Sequence, residues 1–478
     1  MNKQSKLKNN LFVIGLFFVL TLTLFITNFN RVETDFFWIV KGGEWIVQNH
    51  TIPHADIWSY TMSSYPWVFH EWLSGVFMYE VQNHIGHWFL VLLSSILATS
   101  AVLIPLEKKH IKKYWRFIIF MALYLNLYLW GFRPQTFTFF NTALVFSLLI
   151  RYIKFKKIRY LIPIPFIFVL WANLHGGFFV GLAIFFYLVF IKIFQGKFFL
   201  KKYIYYSVFN NKEKFIFSLF FLLSFLATLI NPYGIHLFRE VFYTFMSPLA
   251  GIGEWLPQSE FIFVFPYVIV LSLSIVVFKK LPFEWASVVY ISFLSLIVQK
   301  FAPIFLVLSP YILMLAWDKF SESPGFSIVE NFKKRIIIWV VFAQIIIFLL
   351  LVSFASSMNF VFPNKAVDFI RQNRMQDDRI FNNYGWGGYL IYYLPEEKVF
   401  IDGRMSAWFE KNNYFARDGY GAIVKKADKR EDLIKKYNIN LFLLNKDRDD
   451  KLVEYLKNNS NWQEIYSDDL AVIYKIKK

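Results

Sequence analysis

The chain has 478 residues, 57% hydrophobic and 21% aromatic, with 59 Phe, a net charge of +18 and no cysteine. Soluble domains hold about 45–50% apolar residues, so the composition excludes an ordinary soluble protein and points to a polytopic membrane one. The missing cysteine excludes disulfides and cysteine-based metal sites.

The positive charge sorts by segment and needs no nucleic-acid partner. Segments 1–10, 107–116, 151–159, 192–214, 279–284 and 318–335 hold 25 Lys and Arg. The alternate loops, 29–85, 131–135, 173–177, 231–261 and 299–302, hold 5. Lys and Arg accumulate on the cytosolic side of membrane proteins. The N-terminus is therefore expected in the cytosol, and residues 357–478 outside. That tail carries 21 basic against 18 acidic residues and is near neutral.

The first apolar run, 11–28, lacks a small-residue cleavage site and reads as a retained helix rather than a signal peptide. Ten further runs near spanning length follow: 86–106, 117–131, 136–150, 160–172, 178–194, 215–231, 262–278, 284–298, 303–317 and 336–356. Those within 117–150 and 284–317 read as tight hairpins. The expected fold is a polytopic α-helical membrane domain, 1–356, with about eleven transmembrane helices, followed by an extracytoplasmic α/β domain, 357–478.

Directly after the first run comes Asn30-Arg31-Val32-Glu33-Thr34-Asp35. Acidic side chains at the mouth of a membrane helix are costly unless water, cations or substrate meet them. Phe36–Gln48 has apolar residues at helical spacing, interrupted by Gly42-Gly43, and reads as an interfacial helix. Turn residues Pro53, Asp56 and Ser59 follow. Then comes Trp67-Val68-Phe69-His70-Glu71-Trp72, leading into Leu73–Val81.

Polar motifs elsewhere fall on the same outer side. They are Arg133 in Gly-Phe-Arg-Pro-Gln, Asn173 and His175 in Trp-Ala-Asn-Leu-His-Gly-Gly, Asn231 and Tyr233 in Asn-Pro-Tyr-Gly, then Arg239 and Lys300. Such convergence implies an outward-opening polar cavity. Each motif also has a purely structural reading. Arg133-Pro134 reads as a turn, Asn173 and His175 as a helix cap, Asn231-Pro232-Tyr233 as a helix-ending turn, and His70-Glu71 as a surface pair.

The tail alternates helix and strand signals. Strands are expected at Arg379–Asn382, Val399–Ile401, Leu441–Leu444, Gln463–Tyr466 and Ala471–Ile476. Helices are expected at Ala366–Gln372, Gly387–Tyr393, Arg430–Tyr437 and Asp449–Asn458. The pattern predicts a mostly parallel sheet. Two Gly-rich turns stand out, Tyr384-Gly385-Trp386-Gly387-Gly388 and Asp402-Gly403-Arg404. Such turns either expose N–H groups to an anion or merely join strand to helix, with Asp402 and Arg404 paired.

Glu33-Thr34-Asp35 in the first outer loop of a many-span chain resembles the modified Asp-x-Asp signature of the GT-C superfamily, membrane glycosyltransferases that use lipid-phosphate sugars. The long first loop and the external α/β tail are similar too. The Asp-Glu doublet of protein mannosyltransferases is absent. The resemblance implies a polyprenyl-phosphate sugar donor in the membrane lipid and a glycan or other hydroxyl acceptor, met at the outer face of the cytoplasmic membrane. It implies Asp35 as the base, supported by Glu33. Arg133, His175, Arg239 and Lys300 would receive the phosphate. His70, Glu71, Asn173, Asn231 and Tyr233 would line the acceptor side or support the site, with Asp402 and Arg404 as tail-domain candidates. No cofactor is expected; a divalent cation on Glu33, Asp35 and Glu71 is a secondary option. The alternatives are a glycan polymerase or ligase using a lipid diphosphate, and a transporter.

Overall fold

The computed structural model describes residues 3–194, 208–246, 294–321, 361–373, 378–408, 416–425 and 427–477, and the apolar runs of near-spanning length within them are helices. The helices before the tail are α1 (Lys3–Asn28), α2 (Thr34–Asn49), α3 (Trp72–His84), α4 (His87–Leu103), α5 (Lys108–Asn126), α6 (Gln135–Phe155), α7 (Pro163–Leu174), α8 (Phe178–Phe194), α9 (Asn211–Ala227), α10 (His236–Met246) and α11 (Ala302–Ser321). Eight of the eleven predicted spans fall on α1, α4 to α9 and α11. Spans 262–278 and 336–356, and residues 284–293 of the span 284–298, lie outside the described residues.

Two stretches, Asn10–Asn28 and Gln135–Phe155, are helices long and apolar enough to cross a membrane unaided. The pair α4 and α5 passes the same test but bends by 117° between its members. Pro105 lies in that break, where its ring and missing N–H stop a helix from continuing.

The chain divides into two compact units. The first comprises Met1–Arg31, Gly86–Gly234 and Ala250–Met358. Its core joins Leu16, Leu20 and Leu24 of α1 to Ala98 and Val102 of α4, Ile118 and Met121 of α5, Phe139 and Phe146 of α6, and Phe305 and Leu308 of α11. The opposite face of α1 leaves Leu11, Ile14, Phe18 and Leu22 exposed, and α9 does the same with Phe215, Leu219 and Leu222. Helices apolar on both their packed and open faces suit a lipid surround, since water would penalise such patches.

The second unit comprises Val32–Ile85, Ile235–Leu249 and Asn359–Lys478, so the first outer loop groups with the tail. Its remaining elements are α12 (Asn364–Gln372), β1 (Ile380–Asn382), α13 (Gly387–Tyr393), α14 (Ala416–Lys425), α15 (Ala427–Lys436), β2 (Leu441–Asn445), α16 (Asp450–Asn458), β3 (Trp462–Ser467) and β4 (Ala471–Ile476). The sheet order is β1-β2-β4-β3. Among these strands only β1 and β2 run parallel; β4 is antiparallel to both β2 and β3. The expectation of a mostly parallel sheet is therefore wrong. Three residues, Asp468 to Leu470, join β3 to β4, and so short a link permits only an antiparallel hairpin. The expected strand at Val399–Ile401 is instead an extended segment. Val399 bridges Ile380 on one side and Ser59 of the first outer loop on the other.

The expected interfacial helix also differs. Helix α2 runs unbroken through Gly42-Gly43 and buries Phe36, Phe37, Trp38, Ile39 and Val40 together with both glycines. A helical stretch whose consecutive residues are buried on every side, as Phe36 to Val40 are, belongs in a core. Here α2 packs between α3 and α13 within the second unit. The two glycines permit this closeness: a Cβ on Gly43 would stand 2.0 Å from the Gly75 carbonyl of α3.

Candidate functional site

Glu33 is the N-cap residue of α2 and Asp35 lies in its first turn. Unpaired N–H groups and the helix macrodipole favour negative charge there. The two carboxylates differ in access, for Glu33 is buried at 6% exposure whereas Asp35 is half-buried. Asp35 Oδ1 accepts a 2.9 Å hydrogen bond from Trp38 Nε1, one turn along. The Trp38 ring is itself held by Trp67 and Phe69, with centroids 6.2 and 5.7 Å away.

The two Gly-rich turns of the tail pack around this same helix end. A Cβ on Gly388 would stand 2.6 Å from the Thr34 carbonyl, and one on Gly403 would stand 2.0 Å from Asp35 Oδ1. Gly387 abuts the Ile401 carbonyl at 2.1 Å by the same measure. At these three positions the space is filled by backbone and by Asp35, so the glycines serve close packing.

Asp402 and Arg404 pair with each other, as the second sequence reading had it. Asp402 is fully buried. It accepts from Arg404 Nε at 2.8 Å and Nη2 at 2.7 Å. Arg404 Nη1 reaches Asp56 of the first outer loop at 2.8 Å. Trp58, Trp67 and Trp408 surround the guanidinium at 4.9, 4.9 and 5.2 Å, in cation–π range. Burial alone would lower the Arg404 pKa, but Asp402 and then Asp56 outweigh it, so the net shift is upward. Asp56 also accepts from the Trp58 and Ser59 N–H groups.

The same unit holds other predicted residues. Glu71 is buried at the N-cap of α3, and His70 Nε2 stands 3.8 Å from its Oε1. Arg239 is exposed on α10, its guanidinium 5.2 Å from the Tyr243 ring centroid. Helix α10 packs against the Gly403–Ala407 turn, so it shares that turn with Asp35.

The first unit holds the remaining predicted residues. His175 is buried just beyond α7, where its Nδ1 lies 2.7 Å from Thr138 Oγ1 and accepts from the Gly177 N–H at 2.9 Å. An amide N–H can only donate, so Nδ1 is an acceptor and the ring proton sits on Nε2. Trp171 Nε1 donates to Thr138 Oγ1 at 2.9 Å, which turns the Thr138 hydroxyl proton toward His175. His175 thus presents an N–H donor. Thr138→Val should cost about 1–3 kcal/mol, because it strands the buried Trp171 donor and strips the imidazole of a partner; thermal denaturation measures the loss.

Asn173 directs its amide to the Val169 and Ile230 carbonyls at 2.7 and 2.8 Å, tying α7 to the end of α9. Asn231 donates to the Thr228 carbonyl and accepts from the Tyr233 N–H, an Asx turn beneath the buried Tyr233. Arg133 lies half-buried in the link from α5 to α6, and Lys300 in the 3-10 turn Gln299–Phe301 before α11.

No protein-family model and no curated protein matches this chain. Solved structures do. The archaeal oligosaccharyltransferase AglB from Archaeoglobus fulgidus, in complex with an inhibitory peptide and a dolichol-phosphate, is similar with a TM-score of 0.56 and 11% identity, over 90% of this chain and 69% of that one. The Archaeoglobus fulgidus oligosaccharyltransferase tethered to an acceptor peptide is similar with a TM-score of 0.54 and 12% identity, over 97% and 74%. The fold is GT-C. Identity this low speaks to fold and not to chemistry.

A third similar structure, of that same oligosaccharyltransferase, is a complex with Zn and sulfate. Among the described residues of this chain, no three His, Asp or Glu gather to hold a metal. Glu33, Asp35 and Glu71 therefore form no ready ligand set, and no proposed step runs through a metal. Sequence reasoning missed two residues that shape the Asp35 surroundings. Asp56 was read only as a turn residue, and Gly403 only as part of a Gly-rich loop. Nothing in local sequence pairs either with its partner.

Proposed function

We propose that this protein is a membrane glycosyltransferase that moves a sugar from a polyprenyl-phosphate donor to a hydroxyl acceptor at the outer face of the cytoplasmic membrane. The observation that carries the reading is Asp35: a half-open carboxylate, oriented by Trp38, at a helix N-terminus, in a chain that shares the fold of an oligosaccharyltransferase. The acceptor oxygen attacks the anomeric carbon, and the bond from that carbon to the phosphate oxygen breaks. The lipid phosphate leaves with the bonding electrons, and the acceptor proton passes to Asp35. An ordinary carboxylate is a weak base, so the proton moves late, when attack has acidified the hydroxyl.

Buried Glu33 supports the charge arrangement at the helix end. The departing phosphate gains negative charge and requires cations or N–H donors. Arg133 and Arg239 suit it through their two-pronged guanidinium groups. His175 suits it through its Nε2 proton, and Lys300 as a point charge. His70 and Glu71 are assigned to the acceptor. Asn173 ties the helix that ends at His175 to the residues after α9, and Asn231 and Tyr233 shape the turn there in support of the site. Asp402 and Arg404 act on the tail-domain turn beside Asp35.

A second reading has one observation in its favour: the similar structures are oligosaccharyltransferases. In that reading the donor is a larger glycan on a lipid diphosphate. Purified protein in lipid nanodiscs, offered radiolabelled sugar on polyprenyl phosphate and, separately, glycan on polyprenyl diphosphate, decides between them. The proposal expects the monophosphate donor to be consumed and polyprenyl phosphate released. Turnover of the diphosphate alone would establish the second reading. Failure of folded protein to consume either donor in the presence of mixed hydroxyl acceptors would overturn both.

A further inference from the structure

We infer that the Asp402-Gly403-Arg404 turn of the tail positions the Asp35 carboxylate, and that Gly403 is the residue that makes room for it. This deepens the transferase reading and rests on Asp35 being the acceptor's base.

The first support is the reason for glycine at 403. Its backbone is outside the left-handed region, which holds Gly86, Gly131 and Gly234 instead. Glycine is therefore required by space and not by φ. A Cβ there would stand 2.0 Å from Asp35 Oδ1, 3.2 Å from its Cγ and 3.4 Å from Trp38 Nε1. Asp35 has a short side chain already tied to Trp38, so it clears a methyl group only by giving up that hydrogen bond.

The second support is that the turn itself resists displacement. Asp402 caps its own turn by accepting from the Arg404 N–H at 2.9 Å, and the Arg404 guanidinium fastens the turn to Asp56. Asn382 donates to the Ile401 carbonyl at 2.8 Å and accepts from the Phe400 N–H at 2.9 Å. Gly387 packs directly under Ile401 and Asp402, while Gly388 packs against the Thr34 carbonyl and the Trp38 ring. The carboxylate is thus confined by its own helix and by the tail. Confinement matters for chemistry, because a misplacement near 1 Å can cost about 100-fold in rate.

The test is a double-mutant cycle on the purified full chain: wild type, Gly403→Ala, Asp35→Ala and the double variant. Two quantities are read, the melting temperature and kcat with KM for the lipid-linked donor. Gly403→Ala should lower the melting temperature when Asp35 is present. This loss should vanish in the Asp35→Ala background, where the clash is gone. In the wild-type background its kcat should fall about 100-fold, with the donor KM little changed. Trp38→Phe, which deletes the orienting donor and adds no volume, should lower kcat in the same way even if Gly403→Ala folds poorly. Equal melting losses in both backgrounds would overturn the inference, as would full kcat in both Gly403→Ala and Trp38→Phe. If Asp35→Ala itself transfers sugar at the wild-type rate, the transferase assignment fails, while the melting cycle still reports whether Gly403 and Asp35 meet.

Discussion

Asp35→Asn is expected to lower kcat by about 10² to 10⁴-fold, the range typical for loss of a general base. The substitution keeps the shape of the side chain and an oxygen that can accept from Trp38 Nε1, the bond that orients Asp35. The first turn of α2 should therefore stay in place and the melting temperature should hold. KM for the donor should change little, because the base acts on the acceptor hydroxyl and not on the lipid phosphate. Glu33→Gln should behave differently. Glu33 is buried and Asp35 is not, so the Glu33 change acts through the local field and should reduce kcat less. Steady-state kinetics on the two variants, beside their melting curves, separate these roles.

Arg404→Met is expected to cost the protein about 3–5 kcal/mol, the usual penalty for removing one member of a buried ion pair. Methionine fills similar volume among Trp58, Trp67 and Trp408, so little of the effect comes from a cavity. The cost arises because Asp56 and Asp402, both with fully buried side chains, lose their shared cation. Adding Asp56→Asn should recover part of the loss, since only one carboxylate then remains uncompensated. A coupling of about 0.5–3 kcal/mol between the two changes is expected for residues in one network. Arg404→Lys should also be costly, because an ammonium can neither grip Asp402 with two bonds nor reach Asp56 in the same pose. Chemical denaturation followed by tryptophan fluorescence reads all of these.

The helices were legible because apolar runs of spanning length leave few other folds open. In the tail most elements were placed from alternating helix and strand signals, but Val399–Ile401 forms no strand and helix Ala416–Lys425 was missed. Strand direction was misread. Periodicity carries no sign of direction, and the decisive signal was the length of the link between β3 and β4. The helix at Phe36–Gln48 was found, but its surroundings were not. Gly42-Gly43 looked like a break in an exposed helix, whereas their use depends on Gly75 arriving from α3. Glu33 and Asp35 could be singled out locally because carboxylates beside an apolar run demand an explanation. The second partner of Arg404 could not, since Asp56 lies hundreds of residues away in sequence. The Gly-rich turns were noticed for the right residues and the wrong reason. Glycine marks either a needed φ or a needed gap, and only the fold distinguishes the two.

The central claim is that Asp35 is the base that receives the acceptor's proton. A structure of the protein with a non-hydrolysable polyprenyl-phosphate sugar and a hydroxyl acceptor tests this most directly, through one distance. The account predicts the reacting hydroxyl oxygen within about 2.6–3.2 Å of an Asp35 carboxylate oxygen, with the anomeric carbon beyond it. A reacting hydroxyl that sits against a different carboxylate or a histidine, with Asp35 out of hydrogen-bond reach, would contradict it.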